Sequence, residues 1–305
     1  MEAGMKVLDF ETFLREVAKG VREKLGDGYR VEEMERDDLN GTVKHSLMVA
    51  RHDETVRPCI NMDVCYQQYR RGADIRTVVD GVIASLKENI CVRHAGVFDL
   101  ADWNSVKGRL RGRLINTDRN RKLLKEVPNR AYLDLSIVYD VQVAEAEGKY
   151  YAMQIHREHL LTWGVDESVL YSQFVKNMDA ADDVLFQNLN DLLSLYVQAF
   201  RGINDAEGKL CRYVLGSKNM VNGAVQMCNR KALREIAEYI KDDFWILPSS
   251  IHEVLVFPCQ CTKGDAGALA ETVKWVNDYG VSPNEILSHH VYRYERETGE
   301  VRIAA

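Results

Sequence analysis

Residues Phe244 to Cys259 read FWILPSSIHEVLVFPC, two apolar runs around the polar insert Ser249, Ser250, Ile251, His252 and Glu253. The run Val254, Leu255, Val256, Phe257 is β-branched, aromatic and uninterrupted between Pro248 and Pro258, the pattern of a strand buried on both faces. Such a strand belongs in the middle of a covered sheet, so the rest of the chain must pack around it. Phe244 to Leu247 predicts a second short strand stopped by Pro248. The insert then sits at the rim of the core, where its polar groups must find hydrogen-bond partners. Two readings follow: the serines cap the turn and His252 and Glu253 are satisfied structurally, or the four polar side chains line a cleft.

The 305 residues carry a net charge of −6, 46% hydrophobic and 28% charged residues, and only five prolines, the profile of a folded globular chain. The length allows one large domain or two subdomains, divided here as 1–106 and 107–305. No stretch has the length and apolarity of a membrane span, and the start lacks a secretory signal pattern. The seven cysteines are odd in number and scattered, which suits free thiols in a reducing cytoplasm. Cys259 and Cys261 are separated by one residue and have no second pair at zinc spacing, and His156, Glu158 and His159 straddle a predicted strand end, so no metal site is expected. No cofactor motif is present.

Outward from the central stretch, Asp9 caps an amphipathic helix ending at Leu25, and Tyr29–Met34 and His45–Ala50 predict a strand pair across Asn40-Gly41. Pro58–Met62 adds a strand, followed by helices at 64–71 and 74–89. Ala131–Val143 and Lys149–Ile155 predict a hairpin, His156–Met178 helix, and Cys211–Leu215 with Ala224–Cys228 a further hairpin. Helices at 230–241 and 266–279, a capping box at Ser282-Pro283-Asn284-Glu285, and a hairpin of 290–295 with 300–304 complete the chain. Hairpins outnumber crossovers, which predicts an α+β fold of mainly antiparallel sheet with packed amphipathic helices.

The segment 107–130, KGRLRGRLINTDRNRKLLKEVPNR, holds nine basic residues against Asp118 and Glu126. On a strand, Arg109, Arg111 and Arg113 project from one face while the leucines point to the other. Together with Arg130 they are candidate ligands for phosphate or carboxylate, since the guanidinium fork matches both. Solvation at a sheet edge, or pairing with the protein's own carboxylates, explains the same row without a ligand.

Asn116, Asn120, Leu123-Leu124, Pro128, Arg130 and Leu133-Asp134-Leu135, then Trp163-Gly164, then Ile246 to Glu253, then Ser288 and His290-Val291-Tyr292, form a combination that resembles an uncharacterised bacterial family, domain-of-unknown-function family 5688. More distantly the plan is similar to the YtpQ-type proteins. The resemblance implies a cytoplasmic bacterial protein and supplies neither an activity nor catalytic residues.

Function is thus read from sites. A non-catalytic binding or accessory protein, holding an anionic ligand, a nucleic acid or a protein through 107–130, accounts for the basic segment. A hydrolase or transferase using Ser249 or Ser250 with His252 and Glu253 has the residue types needed. It lacks a G-x-S-x-G elbow, and His252 and Glu253 are neighbours on a strand, which face opposite ways. A structural or interaction role, through Tyr292, Tyr294 and the charged terminal hairpin, is the third.

Overall fold

Asp9 accepts the Thr12 N–H in its carboxylate, and helix α1 (Phe10–Leu25) follows with Phe13, Val17, Ala18 and Val21 on its buried face. The computed structural model describes residues 7–52, 57–94, 99–146, 149–189, 212–262 and 265–305. Contacts divide the chain into two units, Met1–Val97 and Phe98–Ala305.

In the first unit, β1 (Tyr29–Asp37), β2 (Val43–Arg51) and β3 (Cys59–Asn61) form an antiparallel sheet, with α2 (Met62–Arg70) and α3 (Ile75–His94) after it. Asn40, left-handed at φ 60°, turns β1 into β2, as the Asn-Gly pair predicted. Leu47, Val49 and Val31 of the sheet meet Phe13 and Val17 of α1 and Val78, Val79 and Val82 of α3 in one core.

The second unit holds two antiparallel sheets. After the short α4 (Trp103–Val106), β4 (Leu110–Asn116) leads through α5 (Leu123–Glu126) to β5 (Asn129–Tyr132), β6 (Leu135–Ala146) and β7 (Lys149–Gln154). β4 lies on one side of β6, and β5 and β7 lie on the other. The expected single strand 131–143 is broken in two, because Leu133 adopts φ 57° and reverses the chain. Helices α6 (Arg157–Trp163) and α7 (Glu167–Ala180) follow, separated at left-handed Gly164. Helix α7 lies over one face of the sheet: a Cβ on Gly112 of β4 would stand 2.5 Å from the Phe174 ring.

The larger sheet has the order β13-β12-β10-β11-β9-β8. It is built from β8 (Val184–Asn188), β9 (Tyr213–Ser217), β10 (Phe244–Pro248), β11 (Glu253–Pro258), β12 (Tyr292–Glu295) and β13 (Glu300–Ile303), with α8 (Arg230–Ile240) and α9 (Ala266–Gly280) between strands. Val254 to Phe257 occupy β11, internal to the sheet and buried on both faces, as their composition predicted. Leu255 and Phe257 pack with Trp245 and Leu247 of β10 against Leu269 and Val273 of α9. On the opposite face Phe244 stacks on Tyr294 at 4.7 Å.

The architecture is α+β with antiparallel sheets, and two further local expectations are corrected. Residues 224–228 are a helical turn rather than a strand, so β9 pairs with β8 and β11 instead. Gly223 is the reason: a Cβ there would lie 2.2 Å from the Ser217 nitrogen, so the chain folds tightly onto the end of β9. Residues 283–285 form a short helical turn at Ser282 without a side-chain cap, because the Glu285 carboxylate turns instead toward His252.

Candidate functional site

The loop Ser249–His252 joins β10 to β11, with Pro248 opposite Val254. Ser249 Oγ donates to Glu253 Oε1 at 2.7 Å and Ser250 Oγ donates to the same oxygen at 3.1 Å. Ser250 Oγ also accepts the His252 N–H at 2.9 Å. The His252 ring looks elsewhere: Nδ1 accepts the Asn222 N–H at 3.2 Å, and Nε2 lies 3.6 Å from Glu285 Oε1. Contact with His252 holds the Glu285 carboxyl below its usual range, against the opposing effect of burial. The structure therefore brings Ser249, Ser250 and Glu253 together and directs the His252 ring to a separate pair of partners. Both serine hydroxyls are buried.

The basic row disperses. Arg109 ends a helical turn, Lys107–Arg109, and does not join Arg111 and Arg113 on the strand. Arg111 donates from one nitrogen to the carbonyls of Gly108 and Leu110, at 3.3 and 3.1 Å. Arg113 Nε stands 3.4 Å from Asp140 Oδ2 on β6. Burial raises the Asp140 carboxyl, and Arg113 opposes that shift. Cross-strand partners share a face, and Leu114, Ile137 and Arg130 are aligned across β4, β6 and β5. Arg130 thus projects from the α7 side of the sheet, and Arg111 and Arg113 from the other.

On the α7 side, Arg130 meets two arginines that its sequence neighbourhood did not suggest. Its guanidinium lies over the Tyr171 ring, 4.0 Å from the centroid. Arg230 and Arg234, one turn apart on α8, line the same cleft of about 450 Å³ with Tyr132, Tyr294 and Glu300. None of the three arginines has a hydrogen-bond or ion-pair partner among the described residues. Arg230 is the first residue of α8, a position where the helix dipole disfavours a cation. Tyr132 donates its hydroxyl to the Met227 carbonyl at 2.7 Å, and burial drives its phenol well above the ordinary range. Beneath Tyr132, the Cys228 thiol is likewise raised by burial and is not a thiolate at neutral pH. The signal available in the sequence was the i, i+4 spacing of Arg230 and Arg234 on a predicted helix; what joined them to Arg130 was tertiary.

Residues quoted for the family resemblance meet in a second cluster. Asp134, next to left-handed Leu133, accepts from Ser288 Oγ at 2.9 Å, His290 Nδ1 at 2.9 Å and the Tyr292 hydroxyl at 2.8 Å. Burial would raise this carboxyl, but the three donors outweigh it and hold it below the usual range. Asn116 of β4 reaches the same segment by donating to the Leu287 carbonyl at 3.0 Å. The cluster ties the β5–β6 turn to the entry of β12.

No group of three or more His, Cys, Asp or Glu side chains is placed to hold a metal among the described residues, and no described helix is long and apolar enough to cross a membrane. Cys91 and Cys211 fall outside the described side chains; Cys59, Cys65, Cys228, Cys259 and Cys261 are free thiols.

An α+β protein with an arginine-lined cleft is the class these features define. The chain belongs to a family of unknown function, DUF5688, whose model matches residues 10–296. No curated protein and no solved structure matches it.

Proposed function

We propose that this protein binds a small ligand carrying a phosphate or carboxylate, held in the cleft of Arg130, Arg230 and Arg234. The observation that carries this reading is the convergence of three guanidiniums, with no ion-pair partner among the described residues, on one concave surface. Like charges gathered in this way repel one another, and an anion between them removes that cost. Tyrosine rings form the adjoining walls, which suits a ligand with an apolar or planar portion beside its anionic group. The volume of about 450 Å³ fits a small molecule.

Isothermal titration with inorganic phosphate, pyrophosphate and citrate at low salt tests the reading. Wild-type protein binds at least one of these anions, and affinity falls as salt is raised. Arg230→Ala and Arg130→Ala each weaken binding by about tenfold or more, as expected for loss of a charge-assisted hydrogen bond. Absence of binding by all three anions, or equal binding by a folded variant lacking all three arginines, overturns it.

A further inference from the structure

A second cavity, of about 650 Å³, opens beside β4 and is lined by Leu110, Arg111 and Gly112. Among the described residues β4 is the last strand of its sheet and is bonded only to β6. Along an antiparallel edge strand, alternate residues direct both backbone groups toward the partner or away from it. Leu110 faces away: its N–H donates to the Lys107 carbonyl, and its own carbonyl accepts from Asn177 Nδ2 at 3.0 Å. Tyr139, opposite Gly112, turns its carbonyl to the Ile155 N–H on the far side of β6. Both observations set the same phase, so the N–H and C=O of Gly112 point out of the free edge. No described residue bonds to them there. Lacking a side chain, Gly112 lets the Phe174 ring come down on the sheet face, where it walls the slot beside this edge.

Asp182 and Asp183, which also line the cavity, are engaged with Lys218, and the amides and Arg111 are the groups that suit a peptide. Asn219 and Gln226 line the cavity, and each uses its side-chain oxygen internally, for the Val221 N–H and for Asn229 Nδ2 respectively. Their amide N–H groups remain to donate to carbonyls. Arg111 spends one nitrogen on two backbone carbonyls and has no carboxylate partner among the described residues. The wall formed by residues 217–223 contains two left-handed non-glycine residues, Met220 and Asn222. It is braced from behind by the 249–253 loop: His252 Nδ1 accepts the Asn222 N–H, and the Ile251 carbonyl accepts the Ala224 N–H. Strained backbone held by surrounding structure is characteristic of binding sites.

We infer that this cavity takes a short extended peptide, which adds as a strand beside Gly112 and sets a terminal carboxylate on Arg111. A concave slot walled by Phe174 and by residues 217–223 admits a few residues of one strand rather than the edge of a second copy's sheet.

The test uses the full chain and N-acetylated tetrapeptides of alanine, valine and serine, measured by calorimetry and by the amide resonance of Gly112. A bound peptide shifts that resonance. Methylating the one peptide nitrogen that pairs with Gly112 weakens binding about tenfold or more, while methylation one residue away does not. Replacing the terminal carboxylate by an amide weakens wild type by a similar factor and leaves Arg111→Ala unchanged. Should that variant fail to fold, the methylation series on wild type decides alone. Failure of every peptide to bind at millimolar concentration, indifference to the position of methylation, or a dimer through β4 in light scattering overturns the inference. Inorganic phosphate, the probe of the arginine cleft, leaves the Gly112 resonance in place, so the two sites fail independently.

Discussion

Asp134 shows how one carboxylate sets the behaviour of its surroundings. It receives two hydroxyls and an imidazole N–H at 2.8 to 2.9 Å, and the Tyr292 ring among them is fully buried. Asp134→Asn removes the charge these donors answer, and a loss of about 2 to 4 kcal/mol in urea unfolding at pH 7 is expected. The pH dependence follows from the depressed carboxyl. Its contribution is fully present above the unfolded value of about 3.9 and is lost as pH falls through the lower folded value. The gap between wild type and variant therefore narrows below about pH 4, and unfolding curves at pH 7, 4 and 3 measure it. A gap constant across that range shows that the charge is not what the network uses.

Among the elements, β11 bears the most. Leu255 is buried against β10 and α9, so Leu255→Ala costs about 2 to 5 kcal/mol by chemical denaturation, whereas Val169→Ala on the exposed side of α7 stays within about 0.5 kcal/mol. Equal effects would remove β11 from the centre of the core. This strand was legible in the sequence because its four apolar residues carry the information locally, as do the Asp9 cap of α1 and the Asn40-Gly41 turn. The turn at Leu133-Asp134 was not legible, since leucine gives no local reason for a positive φ and the reason lies in the partners Asp134 finds at 288–292. For the same reason the arginine row misled. Alternation is right for Arg111 and Arg113, but Arg109 precedes the strand, and nothing within 107–130 reveals that Asp140 draws Arg113 inward or that Arg230 and Arg234 await Arg130. The polar insert 249–253 was readable as a rim and ambiguous as a site, because residue types specify what groups are present and not which way a ring turns.

For the molecule as a whole, the division after Val97 leaves both proposed binding surfaces within the second unit. A polypeptide beginning at Asp99 is therefore expected to fold with a single cooperative transition and to bind inorganic phosphate as the full chain does. Circular dichroism melting and calorimetry check this; an aggregated or non-cooperative fragment makes the first 97 residues part of the same folding unit.

The span between Asp134 and its partners has a consequence for biosynthesis. Ser288, His290 and Tyr292 follow it by 154, 156 and 158 residues, so a ribosome releases the carboxylate long before the groups that answer it. Until residues 288 to 292 have been added, the nascent chain holds a turn without its clasp, and premature termination anywhere before 288 yields a product whose two sheets have lost this latch.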